Sequence, residues 1–258
     1  MTAPEERSGL PDLTGKVAFV AGASRGIGRA IAVALARAGA AVVVAARSET
    51  EGKLPGTIHS VADAIRSDGG VAMPVACDVT SEASVDAAVA GAVGQLGGID
   101  VLVANAGVMW LAPTQDTPLS RWELCLRVNL TGVFLVTRAV LPHVLRRGSG
   151  SLIAVTTTGV LMTDRGANAY WVSKAAVERY YRGLASELRP HGIAVNCLAP
   201  SKVVMTEGAH ALGVRVPEEM VEEPHAMGRA AVFLAAQDGA GLTGTVQYSL
   251  ELLERLDG

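Results

Sequence analysis

KVAFVAGASRGIGRAIAVALARAGAAVVVAAR, residues 16–47, decides the fold. Residues 16–21 are a short apolar run that stops at a glycine, the pattern of a strand buried on both faces. Residues 26–38 put Ile27, Ala30, Ile31, Ala34 and Leu35 on one helical face. Gly39 ends that helix, and residues 41–46 form a second apolar run. Strand, glycine turn, amphipathic helix and strand in this order predict two parallel strands joined by a right-handed crossover.

The rhythm continues along the chain. Strands are expected at 71–76, 101–104, 151–155, 193–199 and 245–249, and helices at 58–66, 82–96, 119–145, 169–188 and 226–236. Ser81 is placed to cap the helix that follows it, and Pro142 to bend the 119–145 helix. The pattern implies an α/β fold: a single-domain, doubly wound parallel sheet of about seven strands with helices on both faces. Residues 1–258 read as one domain, with a flexible N-terminus over 1–12 and an irregular 201–224 segment as a substrate lid. Ligands of such sheets bind beyond the carboxyl ends of the strands, and every motif below follows a strand.

Composition narrows the function. Half of the 258 residues are apolar and 18% are charged, which excludes a disordered chain. Lys plus Arg number 22 against 25 Asp plus Glu, so no basic excess exists for nucleic acid. Cys77, Cys125 and Cys197 match no zinc or redox spacing, so no metal site is expected and a reduced cytosolic protein is. The first twelve residues lack the apolar core of a signal peptide, and the apolar stretch 38–46 is about half of a membrane span. A cytoplasmic protein with no membrane partner is the expectation. Gly is 29 residues and aromatics are 4%, so small side chains let helices approach the sheet closely.

The glycine loop carries the first chemistry. Gly22 allows a tight turn, Gly26 lets backbone approach a pyrophosphate, and Gly28 permits close packing of helix on strand. The helix that starts there offers free N–H groups and the positive end of its dipole. The loop residues Ser24, Arg25 and Ile27 complete this candidate cofactor cradle. At the end of the second strand, where an acid would read a ribose 2′-hydroxyl, the chain has Arg47, with Arg25 in the neighbouring loop. Two guanidinium groups suit a 2′-phosphate, so NADP is favoured over NAD.

Tyr170 and Lys174 are four residues apart in a predicted helix and so share a face. A free phenol titrates near 10, and a neighbouring ammonium stabilises the phenolate. That pair can serve as a general acid–base near neutral pH.

The spacing G-x-x-x-G-x-G, together with the Tyr-x-x-x-Lys pair, resembles the short-chain dehydrogenase/reductase family over about residues 12–250. The resemblance implies a Rossmann-type NAD(P)-dependent oxidoreductase. It implies that Asp78 and Val79 contact the adenine, and that Asn105, Ala106 and Gly107 lie beside the cofactor with Pro200 and Ser201. Tyr170 would be the general acid–base, and Lys174 would lower its pKa and bind ribose. Thr157, where the family has Ser, would hold the substrate oxygen, and Asn129 would hold a water in a proton relay.

Five departures from the family pattern stand out: Thr157 in place of Ser, Ala21 in place of Thr, Ser201 in place of Gly, 248–251 in place of Asp-Gly-Gly, and extra residues near 54–58. Oligomers are common in the family, so a dimer or tetramer is expected. Val108, Met109, Trp110, Val160, Leu161, Met162, Trp171 and Met205 are candidate pocket residues, mostly apolar, which suits a hydrophobic alcohol, aldehyde or ketone. Arg165 is placed to meet an acidic group, whereas Glu218, Glu219, Glu222 and Glu223 argue against a strongly anionic substrate. A second reading stays open: a sensor or scaffold that binds a dinucleotide without turnover.

Overall fold

The computed structural model describes residues 10–162 and 166–258. Seven parallel strands form one sheet: β1 (Val17–Ala21), β2 (Ala41–Ala46), β3 (Ala72–Ala76), β4 (Val101–Ala104), β5 (Gly150–Val155), β6 (Ile193–Ala199) and β7 (Val246–Tyr248). Their spatial order is β3-β2-β1-β4-β5-β6-β7. The chain leaves β1 toward one edge and returns at β4 toward the other, so the crossovers diverge between these two strands. Ligand-binding crevices open at such a point.

Strand alternation divides the core into two layers. Ala18, Val20, Val42 and Val44 face one side, where α1 (Gly26–Arg37), α2 (Ile58–Ser67) and α8 (Pro224–Ala235) pack. Phe19, Val43, Leu102 and Leu152 face the other, under α3 (Glu82–Leu96), α5 (Gly132–Arg147) and α6 (Asn168–Leu188). Small residues set the helix spacing. A Cβ on Gly228 of α8 would lie 2.9 Å from Ala34 Cβ and 3.0 Å from Ala30 O of α1, so glycine permits this approach.

The predicted 119–145 helix is present but is not uniform. It runs as α4 (Leu119–Leu126), a π-turn at Arg127–Thr131, and α5. Pro142 lies inside α5, while the departure from α-helical geometry falls around Asn129. π-Turns of this kind cluster at functional sites. This stretch is long and apolar enough to cross a membrane by composition alone, yet Val133, Val136, Val140 and Val144 are buried against the sheet.

Three further boundaries differ from expectation. The last strand stops at Tyr248, and Ser249–Asp257 is a helix, α9, that buries Leu252 and Leu253. The segment expected to be irregular contains a short helix, α7 (Glu207–Ala211), capped by the Thr206 hydroxyl. Residues 1–9 lie outside the described residues. Of the expected flexible terminus, Leu10 packs on the core and Asp12 accepts the Thr14 amide and hydroxyl.

Candidate active site

The glycine loop and the end of β4 meet at the crevice. Ala21 pairs with Ala104, and the Asn105 amide donates to Ala21 O at 3.1 Å. The loops beyond them touch backbone to backbone. A Cβ on Gly22 (φ +81°) would stand 2.6 Å from Ala106 Cα. Gly28 has less room still: its Cβ would lie 2.1 Å from Gly22 O and 2.4 Å from Asn105 Nδ2. Asn105 Nδ2 donates to Gly22 O at 2.8 Å. Asn105 thus ties the loop to the sheet through its side chain.

Among the described residues, no side chain caps the first turn of α1. Arg25 at the N-cap makes no side-chain cap, and no acid lies in that turn. Free amides at the positive end of a helix are the donors a diphosphate requires, so the loop fits a dinucleotide. Ser24 is buried beneath it, and Ile27 packs on the first core layer.

Arg25 ties two loops together. Its Nε donates to Pro55 O at 2.9 Å, and its Nη2 to Ser48 Oγ, Gly56 O and Leu54 O at 3.1, 2.8 and 3.4 Å. The extra residues after β2 fold back onto the glycine loop, and their carbonyls need these donors. A Cβ on Gly56 (φ +97°) would lie 2.5 Å from Ser24 O, which measures how closely the two loops pack. Arg47 remains exposed at the end of β2. It acts on Asp78: against burial, which raises it, hydrogen bonds from Thr80 and the charge of Arg47 hold the Asp78 carboxyl below its ordinary value. Asp78 Oδ1 accepts the Thr80 amide and hydroxyl, and Val79 packs against Gly132 at the start of α5.

The other half of the site is built on α6. Tyr170 lies in its first turn, half-buried, and Lys174 lies one turn on, 2% exposed. Lys174 Nζ donates to Val155 O at 2.7 Å and stands 5.9 Å from the Tyr170 ring centroid. Asn129 is fully buried. Its Oδ1 accepts the Val108 amide at 2.8 Å, and its Nδ2 donates to Val108 O and Ser173 Oγ, each at 2.9 Å. Ser173 Oγ donates in turn to Tyr170 O at 2.6 Å. These bonds fix the turn that carries Tyr170 to the loop beyond β4. A Cβ on Gly107 would lie 3.4 Å from Asn129 Oδ1 and 3.6 Å from Lys174 Nζ, so three expected site residues converge there.

Electrostatics differ from the expected lowering of Tyr170. Burial pushes its phenol up to about 12, and burial pushes the Lys174 ammonium down to about 8. In this state the phenol keeps its proton, because its low-dielectric surroundings penalise the phenolate. Thr157 Oγ1 accepts the Gly159 amide at 3.2 Å at the start of a 3₁₀ turn, which leaves its own proton free to donate.

Two residues that the sequence reading passed over support this half. Glu178 follows Lys174 by one turn on the same face of α6, and its Oε1 accepts from Thr156 Oγ1 at 2.8 Å. It anchors the chain one residue before Thr157. Ser173 is the second, and its position three residues after Tyr170 was the available signal.

The departures at 201 and 249 explain each other. Ser201 N–H donates to Ser249 Oγ, and Leu250 N–H donates to Ser201 Oγ, each at 3.0 Å. Ser249 Oγ donates to Glu222 Oε1 at 2.6 Å, and the Lys202 amide donates to Glu222 Oε2 at 2.8 Å. A parallel bridge joins Val203 to Val221. Both stems of the expected lid are therefore stitched to the start of α9, and Pro200 is buried at the base. Glu222 points inward and is 5% exposed, unlike the exposed Glu218, Glu219 and Glu223. Arg165 lies outside the described residues.

Comparison with known proteins agrees with this geometry. The short chain dehydrogenase family profile matches residues 16–215. Hydroxysteroid dehydrogenase-like protein 2 of Danio rerio is 38% identical over 207 residues, covering 78% of this chain and 50% of that protein. The chain thus spans about half the length of that relative. Oxidoreductase UcpA of Salmonella typhimurium is 36% identical over 253 residues, covering 90% of this chain and 92% of its own. A gluconate 5-dehydrogenase from Burkholderia cenocepacia, solved in complex with NADP and tartrate, superposes with a TM-score of 0.81 at 31% identity, covering 92% of this chain and 94% of that one.

Proposed function

The chain belongs to the short-chain dehydrogenase family, and we propose that it transfers a hydride between NADP and a carbonyl or secondary alcohol of an apolar small molecule. The observation that carries the reading is the convergence of Gly107, Asn129 and Lys174 beside Tyr170, across the crevice from an uncapped glycine loop. A nicotinamide, when bound, supplies or takes the hydride.

The protein's part is position and proton transfer. Tyr170 Oη donates a proton to the substrate oxygen in reduction and takes it in oxidation. Thr157 donates a hydrogen bond to the same oxygen and holds it as charge develops. Lys174 brings positive charge to the phenol, with Val155 O fixing the ammonium. Asn129 keeps the loop beyond β4 in register with Tyr170 through Val108 and Ser173.

NADP over NAD rests on Arg47, exposed where an acid would read the ribose. Apolar substrate character rests on the lining: Leu161 and Met162 are 71% and 43% exposed beyond β5, and Trp171 lies over Gly159. The exposed Phe134 and Val172, on helices α5 and α6, offer a face to a second copy of the chain.

The test is cofactor consumption with NADPH and with NADH across apolar aldehydes and ketones, with Tyr170→Phe alongside. Turnover that Tyr170→Phe abolishes, faster with NADPH, is the expected result. Tight cofactor binding without turnover on the whole panel would favour a dinucleotide sensor instead.

A further inference from the structure

Glu207 begins α7, the short helix that Thr206 caps. Its Oε2 is buried and has no hydrogen-bond partner among the described residues. That atom lies 3.5 Å from the point a Cβ on Gly26 would occupy, and Thr206 Cγ2 lies 2.9 Å from the same point. The turn therefore rests on the glycine loop, with a carboxylate beside the first turn of α1.

An unpaired buried carboxylate oxygen is costly unless a positive field offsets it. The N-terminus of α1 supplies that field, since its first amides have no cap and no acid of their own. The same amides are what the diphosphate of a dinucleotide needs. A diphosphate there would meet the Glu207 carboxylate beside Gly26 as a like charge.

We propose that Glu207 is an internal competitor for the diphosphate: it occupies the anion-attracting end of α1 until the dinucleotide arrives, and is expelled when it binds. This rests on the dinucleotide reading of the loop. The stems at Lys202–Glu222 and Ser201–Ser249 are pinned, so the displacement falls on the residues between them, 206–217. Cofactor affinity is set lower than the loop alone would give, and arrival of the cofactor moves the segment that covers the crevice.

The test is equilibrium binding of ADP, adenosine, NADPH and NADH to the full chain, by calorimetry, for wild type, Glu207→Gln and Glu207→Ala. Removing one like charge in a partly screened site predicts ADP and NADPH binding tighter by about tenfold in both variants. Adenosine, which lacks phosphate, binds all three proteins equally. Unchanged or weaker ADP binding in Glu207→Gln overturns the proposal, and tightening of adenosine by the same factor does so too. If no protein of the three binds either dinucleotide, the cofactor reading falls, and this inference with it. If all bind a dinucleotide alike, the cofactor reading stands and Glu207 is no competitor.

Discussion

Gly28→Ala puts a methyl group where the structure has no space. The new carbon would sit 2.1 Å from Gly22 O and 2.4 Å from Asn105 Nδ2. Both atoms belong to the clamp between the glycine loop and β4, so neither moves freely. Separating them removes the 2.8 Å bond from Asn105 to Gly22, a loss of about 1 kcal/mol. Overpacking adds about 1–3 kcal/mol. Alanine's helix propensity returns about 1 kcal/mol, because Gly28 lies within α1. The steric and hydrogen-bond losses win, leaving a net destabilisation of about 1–3 kcal/mol. Gly94→Ala in α3 is the matched control. Nothing lies within 4 Å of its added carbon, so propensity alone acts, and a gain of about 0.5–1 kcal/mol is expected. Urea unfolding of the two variants beside wild type reads both signs. Gly28→Ala as stable as wild type, or the two variants shifting alike, would refute the close packing of the loop on β4.

Lys174→Met tests the buried ammonium. Folding lowers the Lys174 pKa from 10.5 to about 8, so between those values the unfolded chain holds a proton that the folded chain has lost. Stability from this group therefore rises with pH across that window. The wild-type advantage over Lys174→Met in denaturant unfolding should grow from pH 7.5 to pH 10, and a flat difference would count against the burial. Arg47→Ala and Arg25→Ala separate the two guanidinium roles. Arg47→Ala should weaken NADPH binding by about tenfold and leave NADH unchanged, as expected for one lost charge-assisted contact. Arg25→Ala should weaken both cofactors alike, because it frees the loop of Ser48, Leu54, Pro55 and Gly56. A selective loss of NADPH in Arg25→Ala would return it to the 2′-phosphate.

The strands, the main helices and the order of motifs were legible because apolar runs and glycine turns are local signals. The Tyr170–Lys174 pair was legible because helical spacing is also local. What the sequence hid is tertiary. The π-turn at Arg127–Thr131 accompanies a clamp between Asn129 and the distant Val108, which no window of helical periodicity contains. The bonds from Arg25 to Ser48, Leu54, Pro55 and Gly56 were hidden because the fold-back of the 48–58 loop is invisible in one dimension. Ser201 and Ser249 read as two separate oddities in one dimension, whereas in the fold each hydroxyl accepts a backbone N–H from the other's segment, Ser249 Oγ from Ser201 and Ser201 Oγ from Leu250. The helix after Tyr248 was missed because its apolar pair, Leu252 and Leu253, is short and adjoins a strand. The pKa of Tyr170 was expected to fall, and it rises, because burial is a property of the packed site and not of the spacing.

Hydride transfer with Tyr170 as the proton donor leaves an isotopic record in the product. NADPH carrying deuterium at both C4 positions, incubated with the chain and a ketone from the panel that is turned over, tests it directly. The alcohol product should gain one deuterium on its carbinol carbon, and Tyr170→Phe should make no product while still binding NADPH. An unlabelled alcohol, or labelled product from Tyr170→Phe at the wild-type rate, would contradict the account.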